Sequence, residues 1–385
     1  MRTSFIVIVL TCLLVSSTAG VRAFCEEMER QPFTQLFEEM VIEGSKIPIL
    51  RGSERFLGVN RFMPMMSKFA SQAEKLVKAG AVQEIAFLIS KAESHDRNEK
   101  CLALLTLARI SENKQARETI SRLMAADSPL DNFGAIVAVT FMQPEFIKEV
   151  VLSHATFGTY PLLAATGDKD TLEVLRKTKA DLRTKPVTVD AVNRLNAAIA
   201  LLDKRLSLPE EKQLTWRKYL LVLYRANCER PNFRGGGNHA IAAEALAKRG
   251  ISVPAEILEV QIENRDMVAI ALAGIQKEEA LVGALSDVAT KVPEHAALHS
   301  LAIIDSEASY KAIEHLAKPE DPDQNKSIAR TLRSHASERS AALLEKLCKD
   351  EKYKDSWPAF TDALSLIYND LKYEKAAPPA PEPPK

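Results

Sequence analysis

One short pattern recurs along this chain and leaves few folds open to it. An Ala-rich apolar stretch ends in Leu or Val, a few polar residues follow, and a second, amphipathic stretch comes next. The last apolar residue of each first stretch marks nine anchors: Leu107, Val139, Leu163, Leu201, Leu246, Leu272, Leu301, Leu332 and Leu364. Their spacing averages about 32 residues, which suits two helices of three to four turns joined by short turns. Two copies align without a gap, placing Leu163 on Leu272 and Leu172 on Leu281. A single helical hairpin cannot bury its own apolar faces, whereas stacked hairpins share a continuous core. Small Ala residues on the first helix let neighbours approach closely, and Leu and Ile on the second fill the gaps between layers.

The composition points the same way. Aromatic residues make up 6% of the chain and glycines number 14, and strand-like alternation is absent, so a sheet is not expected. The expected fold is all-α, an α/α superhelical solenoid of about nine degenerate hairpins. Gly250 is placed to stop one helix. Pro144, Pro254 and Pro293 stand where a first helical turn tolerates proline. Ser207 to Glu210 reads as a capping box opening the helix that reaches Cys228.

The stretch Asp190 to Leu201 (DAVNRLNAAIAL) resembles the Asp, Val, Arg, Ala, Ala, Leu helix of the HEAT family, and more narrowly the phycobilisome-lyase HEAT-like repeats. The resemblance covers roughly Arg97 to Leu371 at the level of single repeats. It implies a superhelical binding scaffold and no particular activity.

The two ends differ from the array, which spans residues 67–372. Arg2 and the apolar run Phe5 to Val15 read as a signal peptide over residues 1–23, with small-residue cleavage sites after Ala19 and Ala23. The run is shorter than the roughly 20 apolar residues that cross a bilayer. An exported chain follows, periplasmic or secreted, with no integral span once the signal is removed. Residues 24–66 are richer in Met, Phe and Arg and are expected to cap the first hairpin against water. Residues 373–385 end in AAPPAPEPPK, which is expected to be an extended, disordered polyproline tail.

Four cysteines remain after the signal: Cys25, Cys101, Cys228 and Cys348. Stacked repeats touch only their neighbours, so Cys228 and Cys348 are too many hairpins apart to pair. Cys25 with Cys101 stays open, and buried or free thiols are the simpler expectation.

Acids and bases balance at 51 each, which leaves no electrostatic footprint for nucleic acid. His295 and His299 have a spacing that can hold zinc, with His315 the nearest third ligand. The order is not that of a zincin, and half-exposed histidines are the simpler reading. No nucleophile elbow, Cys-x-x-Cys-His, Walker or Rossmann pattern is present, so no catalytic residue, metal ligand or cofactor is assigned.

The longest gap between anchors, Leu201 to Leu246, holds RANCERPNFRGGGNH. Arg225, Arg230 and Arg234 precede Gly235, Gly236 and Gly237, and Asn238 and His239 open the next helix. Positive side chains beside a helix start suggest a site for an anion or an acidic partner. A plain glycine turn with solvated arginines is the simpler alternative. The function expected from the whole is an exported, non-enzymatic scaffold for a protein or peptide. A lyase-type enzyme on the same array and a structural envelope component are the alternatives.

Overall fold

The computed structural model describes residues 33–46, 82–125, 129–152, 159–182, 189–229, 238–291 and 295–376. Within them about 84% of the chain is helical and there is no strand. The expected signal peptide, most of the expected N-terminal cap and the last nine residues lie outside the described residues.

The described helices fall into two units, Met1–Thr166 and Gly167–Lys385. The first holds α1 (Phe33–Lys46), α2 (Val82–Ala92), α3 (Arg97–Arg109), α4 (Lys114–Met124), α5 (Pro129–Val139), α6 (Pro144–Leu152) and α7 (Tyr160–Thr166). The second begins with α8 (Lys169–Leu182), α9 (Val189–Leu206), α10 (Glu210–Glu229), α11 (Asn238–Lys248) and α12 (Ala255–Glu263). It continues with α13 (Met267–Ile275), α14 (Val282–Lys291), α15 (His295–Ile304), α16 (Glu307–Leu316), α17 (Pro322–Ser334), α18 (Glu338–Lys349) and α19 (Trp357–Ala376).

All nine anchors fall on odd-numbered helices, α3 to α19, one to each. Eight are buried, and Leu364 is half-buried. The packing follows this alternation. In the first unit α3 lies against α5, while α2, α4 and α6 form a second row. In the second unit α11, α13, α15, α17 and α19 pack in order, and α10, α12, α14, α16 and α18 pack in order beside them. On the inner row α13 is apolar nearly all round: from Val268 to Gly274 every residue is buried. The outer row is amphipathic, as Tyr310, Ile313 and Leu316 on α16 illustrate.

Close approach within the inner row depends on small residues. A methyl group placed on Gly274 of α13 would sit 2.8 Å from the Ser300 backbone of α15. Across the same crossing Ser300 Oγ donates to the Ile270 carbonyl at 2.8 Å.

The turns between inner and outer helices are tied to one another along each unit. Gln143 N–H donates to Ser111 Oγ at 3.1 Å, joining the turns after α5 and α3. Gln276, after α13, brackets Val253, before α12: its Oε1 accepts from the Val253 N–H at 2.9 Å and its Nε2 donates to the Val253 carbonyl at 3.0 Å. Arg339 donates to the Asp305 carbonyl, and Ser337 Oγ donates to Asp305 Oδ1 at 3.4 Å. Buried turn backbone needs such partners, and here the next hairpin supplies them.

Local signals behave as expected at several boundaries. Gly250 ends α11 at φ +70°. Its N–H reaches Ala247 O, and that of Ile251 reaches Leu246 O. Pro144 occupies the first turn of α6, whereas Pro254 lies one residue before α12, and Pro293 is outside the described residues. Ser207 is a correction. It does not open α10, because α9 continues through Leu206 and the Ser207 N–H still bonds to the Asp203 and Lys204 carbonyls. Pro209 then separates the helices, and Glu210 starts α10. At the C-terminus α19 runs past residue 372 to Ala376, because the prolines that forbid helix begin at Pro378.

Within the expected N-terminal cap, α1 packs on α2 and α3. Phe37 is fully buried, with its ring edge-on to Phe87 at 5.3 Å between centroids. No helix among the described residues is long and apolar enough to cross a membrane.

Candidate functional site

A groove of about 530 Å³ opens in the second unit between α9, α10 and α12. Ala200 and Lys204 of α9 line one bank, together with Leu208 beyond the end of that helix. Glu256, Glu259, Val260, Glu263 and Asn264 form the α12 bank, and Trp216 of α10 completes the lining.

Helix periodicity builds both sides. On α10, Trp216, Leu220, Leu223 and Ala226 recur at spacings of three to four and are buried, which fixes the face that α10 turns inward. Trp216 is 1% exposed, so it forms the bottom of the groove. Its indole Nε1 is buried and has no hydrogen-bond acceptor among the described residues. On α12, Ile257, Leu258, Gln261 and Ile262 face the core, which leaves Glu256, Glu259 and Glu263 along the opposite stripe.

The charge of this stripe is only partly answered. Glu256 pairs with Lys212 of α10 at 3.4 Å. Glu259 and Glu263 make no ion pair among the described residues, and α12 contains no basic residue. Lys204 is the one cationic side chain in the lining.

A buried arginine stiffens the α9 bank from behind. Arg205 is 1% exposed and donates to the Gly167 carbonyl. Burial, together with the like charge of Arg217, pulls its guanidinium down to about 10, against the attraction of Asp168.

The residues singled out from sequence fare differently. Arg230, Arg234, Gly235, Gly236 and Gly237 lie outside the described residues. Arg225 is half-buried on α10, and His239 is half-buried in the first turn of α11. Asn238 is the first residue of α11 rather than the one before it.

His299 does not meet His315, which is exposed in the last turn of α16. It meets His335 at the end of α17 instead, with Nδ1 of His299 2.9 Å from Nε2 of His335 and the rings edge-to-face. One proton serves that contact, and burial holds His335 below the usual histidine range. No group of three or more metal-binding side chains occurs among the described residues. Cys101 and Cys348 are thiols. Burial pushes Cys101 up to about 12, which makes it a poor nucleophile.

Sequence reasoning missed Trp216 and the α12 glutamates. The signal was present in AEILEVQIE: three glutamates at spacings of three and four, with no lysine or arginine to answer them.

No family model matches the chain, and no curated protein matches it.

Proposed function

We propose that this chain is an exported, non-enzymatic scaffold of HEAT-like hairpins that binds a protein or peptide partner. The observation that carries the reading is the alternation of packing: anchors on every second helix, inner helices against inner helices, outer against outer. Such stacking turns short repeats into an extended surface, and surfaces of this kind serve recognition. The groove beside α12 adds a concave, partly apolar place on that surface. Export rests on the Phe5 to Val15 run.

In-cell crosslinking followed by purification of the tagged chain tests both halves. The expected result is a mature N-terminus at Gly20 or Phe24 and a reproducible partner protein crosslinked to the second unit. Intact Met1 in the cytoplasm overturns the export half. A chain recovered without any crosslinked partner overturns the scaffold half.

A further inference from the structure

The groove beside α12 has a specific chemistry, and we infer that it binds an extended peptide segment carrying basic residues at alternate positions. The inference rests on the scaffold reading and names the partner chemistry of one place on it. Three observations converge.

First, Glu259 and Glu263 form a stripe with no ion pair among the described residues, on a helix without a base. Second, Trp216 at the bottom of the groove holds a buried indole N–H with no acceptor among the described residues. Leaving such a donor unanswered costs on the order of 1–3 kcal/mol, so a carbonyl oxygen brought within reach of it gains a bond. A peptide backbone supplies such a carbonyl, whereas a simple cation supplies none. Third, the spacing fits. Glu259 and Glu263 are four residues apart, about 6 Å along a helix axis. Alternate residues of an extended segment are about 6.6 Å apart and point to the same side. Two lysines or arginines separated by one residue therefore meet both carboxylates at once. Glu256, already held by Lys212, takes the next cation in the series less well. Lys204 on the opposite bank disfavours a segment that is basic on both sides.

The probe is a labelled peptide with the sequence Ala-Lys-Ala-Lys-Ala-Lys-Ala, capped at both ends. The control has the same composition with its lysines at the second, third and sixth positions, so that no two are separated by a single residue. Fluorescence anisotropy on the full chain should show the alternating peptide binding at least about fivefold tighter than the control. Glu259→Gln/Glu263→Gln should weaken it about tenfold or more. Trp216→Phe, which removes the N–H together with part of the indole ring, should weaken it about threefold. In a Trp357→Phe background the remaining Trp216 emission should shift on binding.

Equal binding by the Glu259→Gln/Glu263→Gln variant overturns the inference. So does displacement of the peptide by an equal concentration of spermine, which would mark the groove as a site for small cations. If the peptide fails to bind while crosslinking still captures a partner protein, the groove assignment falls and the scaffold reading stands. If both fail, both fall.

Discussion

The helices α12 and α16 hold equivalent places, two hairpins apart. Each is an outer helix, and each lies between two outer neighbours: α10 and α14 for the first, α14 and α18 for the second. Their charges are handled in opposite ways. On α16, Glu307 pairs with Lys311 at 2.6 Å and Glu314 pairs with Lys346 of α18 at 2.6 Å. On α12 only Glu256 has such a partner among the described residues. The N-termini differ as well. Ser306 and Ser309 form a reciprocal capping box at the start of α16, while Pro254 before α12 offers no side-chain cap. A surface whose charges are answered within the fold gives a partner little to compete for. The α12 stripe is the reverse case, and an outside cation meets less competition there.

Substitutions around these two helices put the contrast to the test. The largest effect is expected at the bottom of the α12 groove. Trp216→Ala should cost about 3–5 kcal/mol, because a large buried ring is lost and the cavity closes only in part. Urea unfolding of the variant measures it, and a cost within about 0.5 kcal/mol of zero would show that Trp216 packs loosely.

Next comes the inner row beneath both helices. Gly274→Ala should cost about 1–3 kcal/mol, since its methyl group would meet the Ser300 backbone at 2.8 Å. An unchanged midpoint would mean that α13 and α15 separate freely.

Tyr310→Phe probes the polar junction of α16. The hydroxyl lies 2.9 Å from Ser337 Oγ and 2.8 Å from Ser340 Oγ. Its loss should cost about 1–2 kcal/mol in thermal or chemical unfolding.

A pH titration comes after these in size. Burial lowers His335, so the unfolded chain takes up its proton first as the pH falls. The contribution to stability is full above about pH 6.5 and is lost as the pH falls through that value toward the lower folded one. The melting temperature should therefore decline on acidification, and His335→Phe should flatten that decline.

The smallest stability effects, and the ones that bear most directly on the comparison, come from exposed charge. Glu259→Gln/Glu263→Gln should leave the melting temperature within about 2 °C of wild type, as should Lys311→Ala. Only the first should alter peptide binding.

The all-α fold was legible in the sequence because helices such as α13 bury almost their whole circumference. Stretches such as MVAIALAGI in α13 have few readings other than a helix packed on all sides. The anchors needed no knowledge of neighbours, since each hairpin writes its own apolar faces. The groove was illegible because its residues come from α9, α10 and α12, and only stacking brings Lys204, Trp216 and Glu259 together. The His299–His335 contact joins residues 36 positions apart and was hidden for the same reason. Ser207 misled because a capping-box spacing says nothing about how far the preceding helix runs.

The bonds between successive turns bear on whether the hairpins are interchangeable. Each junction uses its own side chains: Gln143 on Ser111, Gln276 on Val253, Arg339 and Ser337 on Asp305. Arrays built from one consensus unit can be lengthened or shortened by whole units, because every seam is alike. Here the seams are keyed individually. Excising the α13–α14 hairpin would remove Gln276 and leave the buried Val253 N–H and carbonyl facing a turn that carries no matching amide. The order of these turns is thus part of the stability of this chain, and removing one hairpin between them should cost more than the apolar surface it buries.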